Sequence, residues 1–432
     1  MSVNHRPAFA RLRRLSGEGV WIVLGQLAAV SGALLGVRLL TELLDPAAYG
    51  ELALAMTVAT LVNQVLLGPI GGGITRFYAP AQEQSALGDY LRASSRLVLL
   101  ATAVILAALL LALAALQIAG QGSWIAVTVG ALAFAVLSGW SAVLSSIQAA
   151  ARQRLIVAWH QGLESWLRFL LAALLLVWLG ADSSVAMAGY ALALVLVLAS
   201  QCYFFRDIAR YATGGGVSTG AWQARIWSFS WPIAVFGVFT WMQLASDRWA
   251  LGLFATKQEV GLYAVLFQLG YFPISLVSGM VASFLAPIFY QRAGDASDGL
   301  RNAGVNRISG MVTWCSLGIT AVAVLAASLL HGPIFRLLAA PQYHSVSALL
   351  PWVVLAGGVF AASQSLSLAL MSKLKTRSMM PAKIGTAVLG VVLNLAGAYW
   401  FGMTGIVFAG VLFSILFFSW ILLVFRSEAL GA

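Results

Sequence analysis

Apolar runs of about 20 residues recur along this chain from Gly19 to Phe425, each long enough to cross a hydrocarbon core of roughly 30 Å as a helix. Backbone groups inside lipid must satisfy one another, so runs of this length fold as helices. About twelve spans are legible. They include Gly19–Leu44, Tyr49–Ile70, Val157–Leu179, Ile226–Phe254, Gly261–Tyr290 and Thr404–Phe425. Only 9% of the residues are charged and 61% are hydrophobic, against about 25% charged in ordinary soluble domains. No stretch reads as a soluble domain, so the expected class is an all-α polytopic membrane protein.

The formal charge of +11 could signal nucleic acid, and the positions of the basic residues decide against it. One set of alternate connections holds Arg6, Arg11, Arg13, Arg14, Arg76, Arg92, Arg96, Arg152, Arg154, Arg206, Arg210, Arg225, Arg292, Arg301, Arg307, Lys373, Lys375, Arg377, Lys383 and Arg426. The opposite set has only Arg38, Arg248, Lys257 and Arg336. Arginine and lysine accumulate on the cytoplasmic side of a membrane, which predicts that both termini are cytoplasmic. The basic excess then reflects topology and contact with anionic membrane lipids, and no nucleic-acid partner is expected.

A repeat is hidden in the spans. "RLLTELLDPAAYGELAL", from Arg38, aligns with "RWALGLFATKQEVGLYAV", from Arg248, so that Arg38 precedes Gly50 much as Arg248 precedes Gly261. The register persists beyond the next span, where Phe77 and Tyr78 answer Phe289 and Tyr290, and Leu91 and Arg92 answer Leu300 and Arg301. The expected organisation is an N-terminal six-helix bundle (1–209), a cytoplasmic linker (210–225, within "RYATGGGVSTGAWQAR") and a C-terminal six-helix bundle (226–432). An even helix count gives the halves the same orientation, related by a pseudo-two-fold axis along the membrane normal. That plan is common among transporters working by alternating access, with the substrate site at the repeat interface.

The stretches "RLLTELLDPAAYGELALA", "TRFY" and "SDRWALGLFATKQEVGLYAV" resemble the oligosaccharide flippase (Wzx-type polysaccharide transporter) family. Its superfamily also holds the multidrug and toxin extrusion transporters and the lipid II flippases. The resemblance covers essentially the whole chain. It implies a V-shaped pair of bundles in the bacterial inner membrane that carries a polyprenyl-diphosphate-linked oligosaccharide from the cytoplasmic to the periplasmic leaflet, for cell-surface or exopolysaccharide synthesis. It also implies a cationic lumen, with polysaccharide polymerase and export proteins as candidate partners.

A diphosphate calls for arginine, whose guanidinium stays charged and offers forked donors. Arg168, in "HQGLESWLRFLL", is the leading candidate, because it lies about eleven residues, or roughly 17 Å, into its span. Ionisable residues at such depth usually face a bundle interior and serve function. Glu164 lies one turn earlier, and an internal ion pair that locks the helix is the plainer reading of the two. Arg38 and Arg248 form a symmetric pair near the outer ends of their spans, suited either to a clamp or to snorkelling toward the interface. Arg76 follows "GPIGGG", a run that can unwind a helix and bare backbone donors, and is a candidate to receive the diphosphate first, although a basic anchor at the cytoplasmic surface is an equal reading. Asp247 adjoins Arg248 without a counterpart in the first half, where Val37 holds the aligned place. Asp247 and Glu164 are the coupling candidates, for a proton or sodium; no other cofactor is expected.

Two rivals remain. A cation-coupled multidrug exporter of the same superfamily would want embedded carboxylates, yet acids number 14 against 25 bases, and both deep acids adjoin arginines. A membrane-embedded glycan-polymerising enzyme would want paired acids in sizeable external loops. The His331–His344 stretch has none, and no nucleophile, base and oxyanion set appears.

Overall fold

In the computed structural model of the protein, the described residues are 25, 27–210, 218–293 and 298–430. Arg6, Arg11, Arg13, Arg14, Gln26 and residues 211–217 of the expected linker lie outside them. The described chain is a succession of helices: α1 (residues 27–43), α2 (Pro46–Glu83), α3 (Leu87–Ile118), α4 (Ile125–Ala150), α5 (Arg154–Leu179), α6 (Ser183–Arg210), α7 (Thr219–Phe254), α8 (Lys257–Ala293), α9 (Gly299–Leu338) and α10 (Leu350–Ser372). The long final helix Thr376–Leu430 breaks at Gly402, whose φ of 57° with ψ of −138° only glycine adopts readily, giving α11 (376–401) and α12 (403–430). Among the described residues, nine helices are long and apolar enough to cross a membrane. The fold is all-α and polytopic, as the spacing of apolar runs predicts.

Polar residues between the runs punctuate the chain. Asp45 opens α2 by accepting the N–H of Ala48 at 2.7 Å, with Pro46 in the first helical turn where its missing N–H costs nothing. Thr256 opens α8 in the same way, accepting the N–H of Glu259 at 3.2 Å. Each cap stands five positions before its repeat glycine, Gly50 or Gly261. At the basic ends of the hairpins, Ser85, Arg152 and Leu374 adopt φ of 54°, 63° and 59°. The following N–H groups of Ala86, Gln153 and Lys375 return to the carbonyls of Ala81, Gln148 and Leu370 at 2.9, 2.9 and 3.0 Å, closing the helix ends.

Two compact units divide the chain. The first holds the described residues up to Leu43 together with Ala55–Trp241. Its core gathers Trp222, Tyr90, Tyr78 and Ile74, with the Tyr90 ring edge-on to Trp222 at 5.9 Å and its hydroxyl donating to the Ile74 carbonyl at 2.5 Å. The second holds Leu44–Leu54 and Met242 onward. Its core stacks Phe360 on Phe417 at 5.3 Å above Leu366 and Ile421. Within this unit, the tip leading into α2 is tied down by Gln342 and Tyr343, which donate to the Leu44 carbonyl at 2.9 and 3.0 Å.

The glycine run in α2, which could unwind, stays helical. The irregularity lies just before it, in a π turn over Asn63–Leu67. Pro69 explains the position: an ordinary turn would drive its ring into the carbonyl four residues back, and a wider turn relieves that clash. The glycines serve packing. A Cβ on Gly73 would lie 2.5 Å from Ser230 Oγ and 3.0 Å from the Ile226 carbonyl, so only glycine lets α7 approach α2 this closely.

Candidate functional site

In the first unit, Arg168 stands near the middle of the apolar span Leu155–Leu179. Its guanidinium lies on two ring faces, with Cζ 4.8 Å from the Phe169 centroid and 5.2 Å from that of Tyr190. Both rings are buried, at 5% and 4% exposure, and they meet edge to face at 5.7 Å. Phe169 takes its place because Gly36 of α1 leaves room where any Cβ would strike the ring. Gly189 of α6 likewise lets that helix press against Ala172 of α5, which brings Tyr190 beneath the guanidinium.

The Nε of Arg168 is buried without an acceptor. Glu164, one turn earlier, closes no ion pair with it, and no other carboxylate lies in ion-pairing range among the described residues. The guanidinium is thus supported by two ring faces and makes no salt bridge, with the Glu164 carboxylate one turn away acting on it through charge alone. Arg38, on α1, is instead ion-paired with Glu42 one turn later and half exposed. Arg76 is exposed on α2, with no ion-pair partner among the described residues, beside Phe77, which packs on Phe229 at 6.1 Å.

In the second unit, Asp247 is 7% exposed and three donors converge on it. The Tyr263 hydroxyl donates to Oδ2 at 2.7 Å, and the Arg248 backbone N–H and Nη1 donate to Oδ1 at 2.7 and 3.4 Å. Arg248 Nη1 also donates to the Leu244 carbonyl at 3.2 Å, and its Cζ lies 4.5 Å from the Phe267 centroid. Phe267 stacks on Tyr271 at 4.6 Å, so a short aromatic ladder on α8 faces the acid and base of α7. Asp247, Tyr263, Tyr271, Gln243 and Asn394 border a cavity of about 70 Å³. The paired acid and base thus border a small, mostly apolar cavity into which Asp247, Gln243 and Asn394 bring the polar groups.

Arg168 and Glu164 thus share one helix of the first unit with Arg38 and Arg76 on other helices of it, while Asp247 and Arg248 form one cluster in the second. Tyr190 and Tyr263, which complete the two clusters, were not legible as partners. Each stands across a helical hairpin from the group it serves, 22 positions after Arg168 and 16 after Asp247. A buried tyrosine facing an intramembrane charge is the signal that a hairpin register would have supplied.

Solved structures with this architecture include a lipid II flippase and multidrug transporters. The lipid II flippase MurJ in its inward closed conformation superposes with a TM-score of 0.71 at 11% identity, covering 94% of this chain and 86% of that one. An inward-facing multidrug resistance MATE family transporter of the MOP superfamily gives 0.61 at 16% identity, covering 95% and 93%. A mutant of the Vibrio cholerae MATE transporter VcmN gives 0.61 at 14% identity, covering 97% of both chains. No curated protein matches the chain in sequence. Residues 17–292 match the model of the polysaccharide biosynthesis protein family. With well over half of its length matched, including both copies of the repeated glycine motif, the chain belongs to the polysaccharide biosynthesis protein family.

Proposed function

We propose that the protein is a flippase that carries a polyprenyl-diphosphate-linked oligosaccharide from the cytoplasmic to the periplasmic leaflet of the bacterial inner membrane by alternating access. The family and the likeness to a lipid II flippase support this reading. The single observation that carries it is Arg168: a mid-span guanidinium resting on Phe169 and Tyr190, with a buried Nε that meets no acceptor and with no salt bridge to Glu164 one turn away. A cationic drug would be repelled there, whereas a diphosphate would supply the missing acceptors. The glycan needs a polar path and the prenyl tail can stay in lipid, so the protein has no bond to break and acts as a transporter.

Asp247 is the coupling candidate of the second unit, with Glu164 that of the first, and a proton or sodium is the ion each would take. The test is reconstitution of purified protein in proteoliposomes with a labelled polyprenyl-diphosphate oligosaccharide, following its exposure in one leaflet. Wild type should move the label. Arg168→Ala should stop movement while remaining monodisperse, and full movement by that variant would remove the assignment. Flux that is unchanged when both ion gradients are dissipated would remove the coupling role.

A further inference from the structure

Beside the Arg168 cluster, the first unit contains a polar column that transport of a diphosphate does not require. His160, on α5, is 1% exposed. Its Nδ1 lies 2.7 Å from the Ile156 carbonyl, and its Nε2 lies 3.0 Å from Ser200 Oγ on α6. A carbonyl only accepts, so in the neutral ring Nδ1 carries the proton and Nε2 is the basic nitrogen, receiving the Ser200 hydroxyl. Phe204 covers the ring edge-on at 5.8 Å.

Gln201, the next residue of α6 toward its basic end, turns from Ser200 toward α4. Gln201 is 1% exposed and donates to Ser145 Oγ at 3.0 Å, while its Oε1 has no partner. Gln148, one turn beyond Ser145 on the same face of α4, is 0% exposed, and neither its Oε1 nor its Nε2 is partnered. Gln153, at the α4–α5 turn, also holds a buried Oε1 without a partner. Burying an amide with nothing to bond is unfavourable. Here unpartnered donor and acceptor atoms occur together on Gln148, and water is the ligand that serves both.

His160 also begins a titratable stripe along α5, with Glu164 and Arg168 following at successive turns. Glu164 is therefore the charged neighbour on its own helix. α4 contributes no titratable side chain over its whole length; those of α6 at this level, Cys202, Tyr203, Arg206, Asp207 and Arg210, are exposed, and Tyr190 faces Arg168. On α1 the charged residues are Arg38 and Glu42, which pair with each other near its far end.

We propose that His160 is a proton-binding site of the first unit, reached by water along the Gln153, Gln148 and Gln201 column, and that its charge strengthens the hold of Arg168 on an anion. The second half rests on the anion-binding reading of Arg168. A full charge about 12 Å along the helix in a medium of effective dielectric near 20 changes anion affinity by about tenfold.

The four histidines of the chain can be followed by NMR in full-length protein labelled at imidazole nitrogen, with the His160 signal assigned by its loss in His160→Gln. As pH falls from about 8 to about 4 the His160 ring should pass from the Nδ1–H tautomer to the doubly protonated form. An unchanging Nδ1–H ring over that interval would overturn the proton site, and wild-type protein suffices for this measurement. Farnesyl diphosphate itself takes up a proton as pH falls through this interval, so binding is compared between proteins: wild type should gain about tenfold in affinity over His160→Gln as His160 takes up its proton. A variant whose affinity follows that of wild type across the interval would overturn the link to Arg168. Failure of wild type to bind the diphosphate at any pH would instead remove the Arg168 reading, and the titration would still decide the proton site.

Discussion

Gly50 and Gly261 exclude each other's side chains reciprocally. A Cβ on Gly50 would collide with the carbonyl oxygen of Lys257 and lie 2.9 Å from the Gly261 nitrogen; a Cβ on Gly261 would collide with the carbonyl of Pro46 and lie 2.9 Å from the Gly50 nitrogen. Lys257 and Pro46 each precede their glycine by four residues, so the starts of α2 and α8 cross by a contact that is the same from either side. The repeat read from sequence has thus become, within the second unit, a self-complementary crossing.

That crossing should be intolerant of any methyl group. Gly261→Ala or Gly50→Ala should destabilise by about 1–3 kcal/mol, since backbone carbonyls cannot step aside as side chains do. Gly72→Ala, where a Cβ would meet nothing within 4 Å, should be neutral or slightly stabilising. Thermal unfolding of the three variants in one detergent separates the outcomes.

Beside the crossing, Lys257 Nζ lies 2.6 Å from Glu51 Oε1, with side-chain exposures of 45% and 25%. Solvent weakens such a pair, and a double-mutant cycle with alanine should return a coupling of about 0.2–1 kcal/mol that shrinks in high salt. A coupling above this range would mean the pair is shielded from water.

Asp247 and Arg248 are 10% and 13% exposed at the side chain, and removing one charge strands the other. Asp247→Asn should therefore unfold at markedly lower temperature than Asp247→Asn/Arg248→Leu, in which neither charge remains. Tyr263→Phe should cost about 1–2 kcal/mol through the lost hydroxyl donor. Equal melting of the single and double variants would show the arginine charge to be satisfied elsewhere.

Arg168→Lys should restore little of the transport lost in Arg168→Ala. A compact ammonium neither spreads over the Phe169 and Tyr190 faces nor presents a fork to a diphosphate. Initial flipping rates in matched proteoliposomes test this, with a lysine variant at wild-type rate as the contrary result.

Acid should weaken the start of α6. The Ser184 hydroxyl and N–H, which donate to Asp182 Oδ1 at 2.5 and 2.7 Å, hold that carboxyl below its ordinary value of 3.8. A carboxyl depressed in the folded state stabilises it above the unfolded value, and the contribution is lost as pH falls through the folded one. Asp182→Ala should lower the melting temperature at neutral pH, and the gap from wild type should close in strong acid. A gap constant down to the acid limit would assign the effect to helix propensity alone.

The sequence shows the helices and the two-part repeat because each is a local property of apolar spacing and residue pattern. Arg168 and Asp247 were legible as well, since a charge inside an apolar run needs no neighbour to be noticed. Their settings were not. Whether Glu164 pairs with Arg168 depends on rotamers within one turn, and the rings under the guanidinium depend on how closely Gly36 and Gly189 let helices approach. The glycine run is ambiguous for a related reason: composition shows that a helix can break at Gly71, Gly72 and Gly73, but Pro69 decides where it widens.

That widened turn sets the phase of everything after it on α2. Thr57 accepts a hydrogen bond from Trp241 Nε1 at 2.7 Å, and Gly73 meets Ser230, so both positions face α7. Sixteen steps of an unbroken helix would leave them about 160° apart around the axis, whereas a turn that absorbs one residue leaves about 60°. Asn63–Leu67 therefore works as a one-residue phase correction. Deleting a residue there, or moving Pro69 by one place, would demand that the rest of α2 find a new face for α7.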